Sequence, residues 1–142
     1  GGASEIEMIE KKHRIEDALE AVKSAVEDGI LAGGGTTLLK CRNFVIEAEN
    51  DDQQLGADII RKSIEAPIRQ MAANAGVSAD LIIDKIESDT NPNSGWNFKT
   101  GEMADMLAQG IIDPAKVTKT SLQNAVSVSS TLLTTNNAVV EV

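Results

Sequence analysis

Aromatic residues are almost missing from these 142 residues, which hold Trp96, Phe44, Phe98 and no tyrosine. The core must therefore come from Ile, Leu, Val, Ala and Met, which suits close helix packing and gives no stacking platform for single-stranded nucleic acid. Cysteine occurs once, as Cys41, so no internal disulfide can form; this fits a reducing compartment, and Cys41 reads as a small buried hydrophobe. His13 is the only histidine, so neither a histidine metal cluster nor a Ser-His-Asp triad can be assembled. With Lys11, Lys12 and Arg14 beside it, His13 reads as part of an exposed helix face. No apolar run approaches the roughly 18 residues that cross a bilayer, and no signal peptide is visible. Positive charge is also short: 13 Lys and Arg against 22 Asp and Glu give a net charge of −9. That balance argues against nucleic acid and anionic membrane as partners and favours solubility.

What is present is helical. Length sets about one domain, and 42% apolar residues is an ordinary globular fraction. Ser4-Glu5-Ile6-Glu7 fits a capping box, and neither Gly nor Pro interrupts the chain from there to Asp28. Ile15, Leu19, Val22 and Val26 fall on one stripe, joined by Ala18 and Ala25, and Gly29 is a natural stop. A second helix is expected from about Thr36 to Ile46. A polar loop over 47–54 follows, in which Asp51 or Asp52 could cap a helix carrying Leu55, Ile59, Ile60 and Ile64. Pro67 forces a break and then sits in the first turn of a helix reaching Ala75. Ala79–Glu87 is one more short helix. The turn-rich Ser88–Asn97 leads into a short irregular hairpin at Gly95–Thr100, within a region near 95–105. Asp113 as N-cap and Pro114 as first residue open a helix of about 18 residues. The β-branched end, Ala138–Val142, reads as a strand that needs a partner.

Few residues point to chemistry. The run Gly33-Gly34-Gly35 leaves the backbone bare for close approach, and the helix after it attracts anions. It is neither G-x-x-x-x-G-K-[ST] nor G-x-G-x-x-G, so a plain helix–helix turn stays open beside a ligand-contacting role. Asp17 lies roughly 200° around its helix from Ile15 and from Leu19, and by itself reads as a solvated carboxylate. Asp113, before Pro114, reads as a cap.

Five segments together carry a resemblance: Glu5–Lys12, Arg14-Ile15-Glu16-Asp17-Ala18-Leu19, Asp28–Gly35, Glu65-Ala66-Pro67-Ile68-Arg69-Gln70, and Gly110-Ile111-Ile112-Asp113-Pro114-Ala115-Lys116-Val117-Thr118. In order and approximate spacing they resemble the group I chaperonins, the sixty-kilodalton heat-shock family, through essentially the whole chain. The family's chain is several times longer. The resemblance implies that residues 1–28 correspond to a segment of the intermediate domain and 29–142 to the C-terminal half of the equatorial ATP-binding domain, so that the chain is a fragment. Gly1-Gly2-Ala3-Ser4 resembles family sequence rather than a tag.

The resemblance implies a mainly α fold, a helical bundle with a long N-terminal helix, a small hairpin and a C-terminal strand. It also implies site roles. The aspartate matching Asp17 orients the water that attacks the γ-phosphate of ATP beside Mg²⁺. Gly34 matches a glycine whose backbone lies against the ribose, and Asp113 matches an aspartate that takes the ribose hydroxyls. Asn97 matches an asparagine near the adenine. There the pattern departs, because the family's Asn-Ala-Ala is Asn97-Phe98-Lys99 here, which leaves backbone contacts to the base open to Phe98 and Lys99. No metal ligand is assigned within the chain. Identical subunits in a double ring, a co-chaperonin and unfolded proteins are the implied partners, and the helix from Ser4 to Asp28 would act as a lever hinged at Gly29–Gly35.

The leading expectation is therefore a fragment of an ATP-dependent protein-folding chaperonin, contributing the ribose and adenine side of the nucleotide site and ring contacts. The phosphate-binding half is absent, so the fragment alone is expected to be inactive and to hold ATP weakly, and its exposed ends are expected to make it self-associate. The location implied is the bacterial cytoplasm, or alternatively the mitochondrial matrix or plastid stroma. The competing class is a non-enzymatic helical protein-interaction module. An independent nucleotide-hydrolysing enzyme is disfavoured by the lack of a lysine-bearing phosphate loop.

Overall fold

The structure, a computed structural model, describes residues Gly1–Val139. It is mainly helical, with two small strand pairs. Packing divides the chain into two compact units: residues 1–29 with the chain from Pro114 onward, and Ile30–Asp113.

The first unit pairs two long helices, α1 (Glu5–Asp28) and α6 (Ala115–Leu133). α1 begins where expected: the Ser4 side chain accepts the N–H of Glu7, and the Glu7 carboxylate takes the N–H of Ala3 at 2.7 Å. Gly29 ends it, its N–H donating to Ala25 O at 2.9 Å. The half-buried positions are mostly small: Ala21, Ser24 and Ala25 on α1, and Ala115 and Thr118 on α6, with Leu122 the one large side chain among them. Small side chains let two helix axes approach, so α6 takes this face. The stripe of Ile15, Leu19, Val22 and Val26 is left exposed, Val26 at 82%. Neither helix has a fully buried residue. An ion pair between Lys116 and Glu27 ties the two together. Hydrogen bonding within that pair holds the Glu27 carboxyl below its usual range and the Lys116 ammonium above its own.

The second unit holds the core. Strand β1 (Ile30–Ala32) pairs with β4 (Ile112–Pro114), with Gly33 N–H donating to Ile111 O at 2.9 Å beside it. Gly34 and Gly35 then turn the chain with φ of +66° and +73°, where a β-carbon is costly, into α2 (Thr36–Cys41). That helix stops short of the expected Ile46, because Arg42, Asn43 and Phe44 wind on through three-residue bonds to Leu39, Lys40 and Cys41, and Val45 stands exposed. α2 buries Thr36 and Leu39, which leaves Cys41 exposed rather than inside. Partial burial of its sulfur still raises the thiol pKa.

α3 (Asp51–Ser63) is capped by Asn50, whose side chain accepts the N–H of Gln53 at 2.9 Å. Asp51 and Asp52, expected as caps, occupy the first turn instead, where negative charge suits the helix N-terminus. α4 (Ala66–Asn74) carries Pro67 in its first turn, and α5 (Ala79–Ser88) lies against it. Ile68, Ala72, Ile82, Ile83 and Ile86 close around Leu39, with Trp96, Phe98 and Met103 packed on the cluster. Glu65, nearly buried, holds Arg42 at 2.6 Å and Arg69 at 2.8 Å, fixing the start of α4 to the end of α2.

The hairpin is regular rather than irregular. Strands β2 (Ser94–Asn97) and β3 (Glu102–Asp105) are antiparallel, with Ser94 opposite Asp105 and Asn97 opposite Glu102. At the start of α6, Pro114 takes the cap position with no side-chain bond. Asp113 stands one residue earlier, within β4, and its carboxylate makes no capping bond. Of the expected C-terminal strand, Val140–Val142 lie outside the described residues, and Ala138 and Val139 are not in a strand.

Candidate functional site

A cavity of about 400 Å³ opens in the second unit. The hairpin supplies Trp96, Asn97, Phe98 and Lys99, the turn after it supplies Met106, Gln109 and Ile111, and the glycine run supplies Gly34. Segments more than 60 residues apart in the chain thus meet at one place. A volume in the low hundreds of Å³ with apolar walls and few polar groups suits a small planar ligand.

Each wall has a local cause. Gly34 adopts a left-handed backbone that L side chains rarely take, and a β-carbon there would stand 2.9 Å from the flexible end of Met106, at Cε, so glycine is favoured. The hairpin tip is tied by Asn97, whose Oδ1 accepts the N–H of Lys99 at 2.9 Å and of Thr100 at 3.3 Å. Its Nδ2 donates to Gln109 Oε1 at 2.7 Å. The turn holding Gln109 is built on Asp105, which accepts the Ala108 N–H on its side chain at 2.9 Å and the Gln109 N–H on its carbonyl at 3.1 Å. The Ala108 N–H, and then the Asn91 side-chain amide, keep the Asp105 carboxyl below its usual range. Ile111 N–H closes back on Met106 O at 2.8 Å.

Of the six residues singled out from sequence, Gly34, Asn97, Phe98 and Lys99 come together here. Asp113 is not in the lining; it is exposed on β4, and its carboxylate has no hydrogen bond or ion pair among the described residues. Asp17 is exposed on α1, in the other packing unit. The sequence reading missed Trp96, Met106, Gln109 and Ile111. Gln109 had no local signal at all, because only the hairpin register and the turn after it bring its amide to Asn97.

The lining contains one charged group, Lys99, and no carboxylate, histidine, serine or cysteine. Such a surface binds and orients; it supplies no nucleophile or acid of its own. Among the described residues no three His, Cys, Asp or Glu side chains stand together as a metal site. Two other hollows are less built. One runs along α1 beside Met8 and Ile15, on the surface of a single helix. The other, about 290 Å³, lies between β1 and Phe44, near Cys41. Neither has an anchored pair of polar side chains like Asn97 and Gln109.

The model of the TCP-1/cpn60 chaperonin family matches residues 1–142.

Proposed function

This chain belongs to the TCP-1/cpn60 chaperonin family, and we propose that within an ATP-driven protein-folding ring of the group I type it holds the nucleoside end of ATP. The observation that carries this reading is the convergence of Gly34 with Asn97, Phe98 and Lys99 on one cavity. The residues fit the group. Trp96, Met106 and Ile111 offer apolar walls for a purine, Gly34 lets the sugar approach bare backbone, and Gln109 brings a polar amide. Phe98 and Lys99, where the family has small residues, leave the cavity open rather than filling it. The exposed, unpaired Asp113 is an acceptor suited to ribose hydroxyls. When bound, ATP with Mg²⁺ supplies the phosphoryl group whose transfer drives the ring. Asp17 is assigned to the attacking water, since a carboxylate accepts its hydrogen bond and stays charged beside a cation.

Lys99 is the one cation of the lining and no glycine-rich phosphate loop accompanies it, so the chain by itself should bind adenosine and ATP·Mg²⁺ about equally and weakly, near 1 mM or about −4 kcal/mol. Amide chemical shifts followed during titration test this. Movement confined to Gly34, Asn97–Lys99, the turn at Gln109 and Asp113 is expected. Micromolar affinity for ATP, or shifts only elsewhere, would sink the reading.

A further inference from the structure

The geometry points to Gln109 as the group that reads the base: its amide nitrogen, fixed as a pure donor, hydrogen-bonds to an unprotonated ring nitrogen of a purine. This rests on the nucleoside reading above and extends it from a cavity to a specificity-determining residue.

The argument begins at a backbone turn. Asn97 accepts two main-chain N–H groups, from Lys99 and Thr100. Only the oxygen of an amide can accept, so the orientation of Asn97 is set by the chain itself. Its nitrogen must then face the other way, and there it meets Gln109 at 2.7 Å. A donor requires an acceptor, so Gln109 turns its oxygen to Asn97 and its nitrogen away. The order of atoms at Gln109 is therefore fixed two residues removed, by the hairpin tip.

The consequence is chemical. Gln109 lines the cavity, and its Nε2, with two N–H bonds, has no partner among the described residues. The Gln109 side chain is exposed; its bond to Asn97 and the backbone bonds of its turn restrict it before a ligand arrives, which reduces the ordering left to be lost on binding. A donor held in place complements an acceptor: the bare ring nitrogens of a purine meet that need, whereas a C–H or a protonated nitrogen at the same place does not. Asn97 is then a positioning residue, acting through Gln109. This also explains how Asn97 can belong to the site although its oxygen is taken by the hairpin tip and one of its N–H groups by Gln109.

The test uses the whole chain with adenosine and its 1-, 3- and 7-deaza analogues, each replacing one ring nitrogen by C–H. Binding is read from amide shifts of Gly34 and Asn97, with shifts outside the pocket as the check on folding. One analogue should bind about five- to tenfold more weakly than adenosine, the loss of one neutral hydrogen bond. Gln109→Met, which keeps the length and cannot donate, should weaken adenosine to the level of that analogue and abolish the difference between them. Gln109→Glu, which still accepts from Asn97 but presents an acceptor to the cavity, should be weaker than Met. If all analogues match adenosine, or Gln109→Met keeps the discrimination, base reading by Gln109 is wrong while the nucleoside pocket stands. If adenosine moves neither Gly34 nor Asn97, the nucleoside reading fails, and this inference with it.

Discussion

α1 and α5 are both amphipathic helices whose apolar positions recur at helical spacing, but they end differently. In α5, Ile82, Ile83 and Ile86 are buried in the cluster around Leu39. In α1, Ile15, Leu19, Val22 and Val26 stand exposed, while Ala21, Ser24 and Ala25 face α6. Periodicity tells which residues share a face; a partner decides whether that face is closed. Between these two units the free energy of folding is distributed unevenly. About 25 cal/mol is gained per Å² of apolar surface removed from water, and in α1 little is removed.

The sharpest way to break this contrast is a pair of truncations. Ile86→Ala should cost about 2–5 kcal/mol, transfer plus cavity, whereas Leu19→Ala should stay within about 0.5 kcal/mol. Urea unfolding of the two variants decides it, and equal losses would mean that the α1 stripe is covered in solution.

A second contrast separates chemistry from binding. In an assembled chaperonin ring carrying this sequence, Asp17→Ala should slow ATP hydrolysis by roughly 10²-fold or more, about 2.7 kcal/mol, with nucleotide affinity nearly intact. Turnover measured beside equilibrium binding checks this, and unchanged turnover returns Asp17 to an ordinary solvated carboxylate.

The smallest effect compares two glycines. A β-carbon at Gly95 would lie 2.1 Å from Thr36 Oγ1 and 2.8 Å from Met106 Cγ. Gly95→Ala should therefore destabilise by about 1–3 kcal/mol. Gly56, inside α3, has nothing within 4 Å of such an atom, and Gly56→Ala should stabilise by about 0.5–1 kcal/mol. Thermal unfolding of both, with opposite signs, is the expected result.

How much of this was legible in the sequence varies with the range of the cause. Ser4, Gly29 and Pro67 act within one turn, and the boundaries they set were readable. The pairing of β1 with β4 was not, because each is three residues long and the partner is some 80 residues away. The caps at Asn50 and Pro114 lie one or two residues from those expected, since neighbouring Asx side chains offer nearly equal acceptors and Asp113 is held in β4. The resemblance to chaperonins points to Gly34 and Asn97, whereas Gln109 needs the hairpin register.

Trp96 has a consequence of an optical kind. It is the only tryptophan, there is no tyrosine, and the Lys85 ammonium sits 4.9 Å from the centre of its ring. Near-ultraviolet emission therefore originates at a single point on β2, beside a cation whose departure changes the spectrum. Far-ultraviolet ellipticity draws instead on every helix, most of all on α1 and α6, with 24 and 19 residues. Emission reports one place in the second unit, whereas ellipticity sums over the helices of both. Ellipticity lost at constant emission is the signature of the long helices opening while the hairpin stays closed, and the fluorophore is blind to that event.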